Sequence, residues 1–163
     1  MQLAIISDTH LPKGSRSLPE ACRRRLAAAD AILHAGDFIK AEVLADLRGL
    51  GPPVHAVHGN VDCAELRAEL PETTMIGFGA FRIAMIHNSG SAAGRSRRMR
   101  NRFPDADAVI FGHSHIPLLE RGPDGLILFN PGSPTERRRA PSHTMGIAKV
   151  ADGQIHFKLV VLD

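Results

Sequence analysis

The chain has no tryptophan and no tyrosine, and its aromatic residues are seven phenylalanines. Proteins that read single-stranded nucleic acid stack bases on aromatic side chains. A dedicated nucleic-acid module is therefore disfavoured, although the net charge is +3. Cysteine is nearly absent too. Cys22 and Cys63 form no CxxC pattern, which argues against a disulfide framework and makes a reducing cytoplasm the default. No apolar run approaches the length of a membrane span. The opening stretch Met1-Gln2-Leu3-Ala4-Ile5-Ile6 has neither the basic nor the long apolar region of a signal peptide. A first strand that starts almost at Met1 carries the expectation that little of the domain is missing. Lysine is scarce as well, with sixteen arginines against four lysines. The arginines cluster at 23–25, 95–102 and 137–139. The first reading of these clusters is solvated helix faces and loops. The second is attraction of an anionic substrate or nucleic acid.

What is present fits one soluble domain over residues 1–163, with 44% hydrophobic residues. Leu3–Ile6, Ala31–His34 and Val54–Val57 read as buried strands. They alternate with helices predicted from about Pro19 to Ala29, Lys40 to Leu47 and Cys63 to Leu70. Ser17 and Glu20 resemble a capping box for the first of these. From Thr73 the period shortens. Three hairpins are predicted, around Gly79-Ala80, Gly122 to Gly125 and Asp152-Gly153. A polar helical segment from Ala92 to Phe103 and a strand at Val109 lie between the first two. Alternating strands and helices followed by hairpins predict an α/β fold. Its form is a four-layer αββα sandwich, two mixed β-sheets packed face to face with helices outside.

Polar residues able to bind metal follow apolar runs at five places: Asp8 and His10, Asp37, Asn60, His87, and His113 with His115. The carboxyl ends of strands line the ligand crevice of α/β sheets. Taken singly, each residue has a plain reading as a turn former or a satisfied histidine. All seven falling at strand ends points to one site. Two carboxylates, four imidazoles and one amide suit Mn, Fe, Ni or Zn better than Ca or Mg alone. Seven ligands exceed one tetrahedral site and suit two divalent transition-metal ions sharing a carboxylate. Two Asp neutralise only half the charge of two such ions, so the centre still attracts a phosphate anion.

Asp8-x-His10, Gly36-Asp37, Gly59-Asn60-x-Asp62, His87 and Gly112-His113-x-His115 resemble the signature of the calcineurin-like metallophosphoesterases. Their order resembles the small single-domain phosphodiesterases of bacteria and archaea. Asn130-Pro131-Gly132-Ser133-Pro134-Thr135 and the last hairpin extend the likeness over the whole chain. The resemblance implies one metal on Asp8, His10, Asp37 and His115, and a second on Asp37, Asn60, His87 and His113. It implies metals ~3.5–4 Å apart and attack on a phosphodiester by a metal-bound hydroxide. Asp37, Asn60 and His10 would be the catalytic residues, and manganese the favoured metal. The substrate would be a small phosphodiester or a nucleotide, with no membrane involved and a homo-oligomer left open.

The chain departs from relatives that carry a histidine directly after the asparagine to protonate the leaving group. Here that residue is Val61. Substrates with good leaving groups are then favoured. Asn88 stands where the branch often has glycine, so it is a candidate substrate contact. His58, two residues before Asn60, is another, against a plain loop role. Asp62 reads as a group that orients a ligand or caps the next helix. His34 reads as a hydrogen-bonded core residue, His55 and His156 as structural, and His143 as a surface residue. The rival readings are a phosphomonoesterase or dinucleoside polyphosphate hydrolase on the same site, a protein-binding scaffold of the same fold, and a nucleic-acid binder using the arginines.

Overall fold

A computed structural model describes residues 1–163. The alternating patterns form ten strands and four helices. In chain order these are β1 (Gln2–Ile6), α1 (Glu20–Ala27), β2 (Ala31–His34), α2 (Ala41–Arg48), β3 (Val54–Ala56), α3 (Ala64–Glu69) and β4 (Thr73–Phe78). They continue as β5 (Phe81–Ile86), α4 (Arg95–Arg102), β6 (Ala108–Ile110), β7 (Leu118–Arg121), β8 (Ile127–Asn130), β9 (Thr144–Ala151) and β10 (Gln154–Val161). They build two five-stranded sheets, ordered β10-β9-β1-β2-β3 and β4-β5-β6-β8-β7. Both sheets are mixed. β1 runs parallel to β2 and antiparallel to β9. β6 lies between parallel neighbours β5 and β8, and β4 and β7 close the edges antiparallel.

Successive side chains of a strand point to opposite faces, and the buried residues divide accordingly. Leu3, Ile5 and Leu33 of the first sheet meet Ile83, Met85, Ile110 and Phe129 of the second in a central core. Ala4, Ile6 and Ile32 face the other way, onto Leu26, Leu44, Leu47 and Leu66 of the first three helices or their flanks. On the outer face of the second sheet, Ala84, Val109 and Leu128 cover Met99 and Phe103. Three apolar layers separate four layers of structure, which is the αββα sandwich. Both faces of the central strands are dry, so these strands read as continuous apolar runs.

The elements depart from the sequence reading at their ends. Ser17 makes no cap. α1 begins after Pro19, which lies at φ −54° and ψ 140° and has no side-chain acceptor to offer. α4 starts at Arg95, after Gly94 at φ 68°, rather than at Ala92. Four of its five arginines are held by the protein. Arg98 donates to the carbonyls of Ser89, Ser91 and Ala93 and so fastens the loop after β5. Arg100 pairs with Asp124, Arg102 pairs with Glu72, and Arg95 lies 4.9 Å above the Phe111 ring. No helix is long and apolar enough to cross a membrane.

Candidate metal centre

β1, β2, β3, β5 and β6 all deliver their carboxyl ends to one end of the sandwich, and the loops there are stitched together. Asp8 and His10 donate their backbone N–H to the carbonyls of Gly36 and Asp37 at 2.9 and 3.0 Å, and Gly112 donates to that of His87 at 2.9 Å. Close approach requires two of the glycines. A Cβ on Gly59 would lie 2.0 Å from Asp37 Oδ1, and one on Gly112 would lie 1.9 Å from Ser7 Oγ.

This stitching brings all seven predicted residues together as two adjacent groups. In the first, Asp8 Oδ1 lies 3.3 Å from His115 Nε2 and 3.9 Å from His10 Nε2. In the second, Asn60 Oδ1 lies 3.1 Å from His87 Nε2 and 2.9 Å from His113 Nδ1. Asp37 joins them, with one oxygen, Oδ2, 3.3 Å from His10 Nε2 and 3.2 Å from His87 Nε2. Asp8, His10 and His115 form one possible set of metal donors, and Asp37, His87 and His113 the other.

The donor atoms face inward because their outer edges are tied down. His87 Nδ1 donates to the Ala35 carbonyl at 2.7 Å, and His115 Nδ1 donates to that of Glu136. A carbonyl only accepts, so in the neutral rings both Nε2 atoms offer their lone pairs to the centre. His10 Nδ1 faces the Glu136 carboxylate at 3.3 Å, with the same consequence. The Nε2 atoms of His10 and His115 are buried without a hydrogen-bond partner. Two orphaned imidazole nitrogens beside two carboxylates are the chemistry a divalent cation satisfies, so the residues fit a metal pair.

The ligand-free electrostatics agree with this. Burial opposes a charge on His10, but the Asp37 and Asp8 carboxylates outweigh it and lift its pKa to about 9. Burial also works against charge on His87, and Asp37 again wins, raising its pKa. Asp37 is held well below the usual carboxylate range: burial would raise it, but contacts to His10 and His87 prevail. His115 is lowered, mainly by burial.

The remaining predicted residues take definite places. Asp62 is buried and accepts from the backbone N–H of Asp37, Ile39 and Gly59 at 3.1, 2.8 and 2.6 Å. It holds the Asp37 loop and does not cap α3. His58 and Asn88 line a cavity of about 230 Å³ with Asn60, His87 and Arg67. Asn88 Oδ1 is already engaged by Gly90 N–H. Val61 is 41% exposed, and only its backbone N–H reaches the centre, at Asp37 Oδ1. His34 lies in the core. It accepts from Gly36 N–H through Nδ1, bonds Thr9 Oγ1 through Nε2 and stacks 3.5 Å from Phe38. Burial pushes its pKa down to about 3. His55 packs edge-on against Phe78, His156 bonds Gln154, and His143 pairs with Asp163.

Sequence reasoning missed the supporting shell. Ser133 Oγ donates to the Asp8 carbonyl and Thr135 Oγ1 to that of Thr9. Asn130 Nδ2 donates to the Gly112 carbonyl and to Ser114 Oγ. The Asn-Pro-Gly-Ser-Pro-Thr stretch was the available signal. Glu136, directly after it, had none.

The calcineurin-like phosphoesterase superfamily domain matches residues 1–153. A probable metallophosphoesterase of Methanothermobacter thermautotrophicus is 35% identical over 140 residues, which cover 85% of this chain and 80% of that protein. Among solved structures, Vps29 of Entamoeba histolytica, complexed with Zn2+, superposes with a TM-score of 0.77 at 24% identity over the full length of both chains. An archaeal phosphodiesterase superposes with a TM-score of 0.72 at 18% identity, covering 98% of this chain and all of that one. At these identities the structural likenesses speak for the fold. The match over nearly the whole sequence, together with the archaeal relative, places the chain in the calcineurin-like phosphoesterase superfamily.

Proposed function

We propose that the chain is a phosphodiesterase using two divalent transition-metal ions. Asp8, His10, Asp37 and His115 hold one, and Asp37, Asn60, His87 and His113 hold the other. The observation that carries this reading is the single Asp37 oxygen, Oδ2, facing both His10 and His87 at 3.3 and 3.2 Å. When bound, the ions supply Lewis-acid charge and a water acidic enough to attack phosphorus. Asp8 and Asp37 leave half the charge of two divalent ions uncompensated, which favours a phosphate anion. Asn60 contributes an oxygen donor without adding negative charge. The three imidazoles pinned from behind keep their Nε2 atoms aimed, and the loops that Asp62 and Ser133 tie down keep the carboxylates in place. Manganese suits this mixed N/O set, as do nickel, iron and zinc. The reading extends to one domain over residues 1–163 in the cytoplasm, in keeping with two unpaired cysteines.

Val61 offers no proton to a leaving group. Aryl diesters, whose leaving oxygens need none, are therefore turned over faster than alkyl diesters. The test is hydrolysis of an aryl diester, an alkyl diester and an aryl monoester by metal-stripped protein, with Mn, Ni, Zn or Mg added back. The expected result is metal-dependent turnover fastest on the aryl diester. Asp37→Asn should lower it by more than the ~10–100-fold typical of losing a group that only orients a ligand. Preference for the monoester would shift the reading to a phosphomonoesterase. Metal binding with no turnover on any substrate would shift it to a protein-binding scaffold of the same fold.

A further inference from the structure

One residue outside the seven touches two of the imidazoles from behind. Glu136 follows the rigid turn after β8. Its side-chain Oε2 lies 3.3 Å from His10 Nδ1. Its main-chain carbonyl accepts from His115 Nδ1. The carboxylate is itself anchored by two cations from the loop after β1, with Lys13 Nζ at 3.2 Å from Oε1 and Arg16 at 3.1 Å from Oε2. Its backbone N–H donates to Ser133 Oγ at 2.8 Å, the same hydroxyl that donates to the Asp8 carbonyl. Both imidazoles of the first metal group and the backbone of Asp8 are thus tied to this one segment. The second group has no such carboxylate: His87 is backed by the Ala35 carbonyl.

We infer that Glu136 is the positioning residue of the metal group formed by Asp8, His10 and His115, fixing both imidazoles with Nε2 inward and making His10 the stronger donor. The inference rests on the two-metal reading above. A carboxylate behind a ligating imidazole locks the ring and raises its basicity, whereas a carbonyl locks the ring with less charge. The two metal groups are therefore unequal. Removing the Glu136 charge weakens one ion and spares the other.

The experiment is titration of metal-stripped protein with Mn2+, read by the electron paramagnetic resonance signal of the free ion. Wild type, Glu136→Gln and Glu136→Ala are compared, with circular dichroism confirming that the variants are folded. Glu136→Gln keeps the shape and the main-chain carbonyl on His115 and loses only the charge. Wild type should take up two ions. Glu136→Gln should bind one with wild-type affinity and the other ~10–100-fold more weakly, and Glu136→Ala should weaken the same ion at least as much. A residue that merely held the loop would lower the melting temperature of the metal-free protein and leave folded protein with both affinities. Wild-type affinity for both ions in both variants overturns the inference and leaves the two-metal reading standing. Absence of Mn2+ binding by the wild type overturns both.

Discussion

Asp8, His10, Asp37, His113 and His115 hang from backbone in the left-handed region, with φ of 55°, 46°, 62°, 69° and 61°. Such a conformation costs an L-residue ~1–2 kcal/mol. It survives where surrounding bonds determine it, and these loops have them: Asp62 on the Asp37 turn, Ser133 and Thr135 on the Asp8 turn, Asn130 on the His113 turn. Strain gathered at one cluster is the pattern of a functional site. His10 allows a direct test. Its pKa of about 9 without metal lies above the ordinary 6.5, so its stabilising charge is fully present below 6.5 and lost as pH rises through about 9. A cation needs the Nε2 lone pair and must displace that proton. Metal affinity should therefore climb about tenfold per pH unit for this proton and flatten above about 9. His87, also raised, adds to the slope. Calorimetry in buffers of different ionisation enthalpy reads the protons released. About one to two at neutral pH are expected, and none would contradict this account. The seven residues were legible because each follows an apolar strand at short spacing. Glu136 was not, because its partners lie in the loop after β1 and only the folded chain brings them together.

Elements set where those turns stand. The strands were legible because the alternation that fills three apolar layers is local. Leu3 and Ile5 face one layer, and Ala4 and Ile6 the next. Helix ends were less so. Ser17 and Glu20 have capping-box spacing, yet α1 begins two positions late for it, with Leu18 and Cys22 packed in the outer core. The pairing of the last hairpin was also hidden. β9 lies antiparallel to β1 across most of the sequence, a contact no local pattern announces. Close packing of elements at the site predicts a sharp contrast between two glycines. A Cβ at Gly112 would lie 1.9 Å from Ser7 Oγ and 2.5 Å from Asp8 Oδ2, so Gly112→Ala must push the β1 and β6 loops apart. It should cost ~1–3 kcal/mol of stability and abolish tight binding at the Asp8 group. Gly77, within β4, has nothing within 4 Å of an added Cβ. Gly77→Ala should leave metal binding unchanged and be neutral or slightly stabilising, since alanine orders a strand more cheaply than glycine. Urea melts and Mn2+ titrations of the two variants check both statements.

At the scale of the molecule, the site belongs to neither sheet. The first sheet supplies Asp8, His10, Asp37 and Asn60, and the second supplies His87, His113 and His115. Bound cations would therefore cross-link the sandwich at the end where its loops carry strain and orphaned nitrogens. The unfolded chain scatters these ligands over more than a hundred residues and binds the ions poorly, so binding is linked to folding. An ion at a hundred times its dissociation constant adds ~2.7 kcal/mol, or ~5–10 °C in melting temperature for a chain of this size. The arginines cannot produce this effect, because a guanidinium is itself a cation and offers a metal no lone pair. Calorimetric melts with and without Mn2+ should show the shift in wild type. They should show most of it lost in Asp37→Asn, since Asp37 faces both groups. Glu136→Gln should retain the part due to the second ion. An equal shift in all three proteins would mean that the cation acts at some other surface, and the cross-link between the sheets would have to be abandoned.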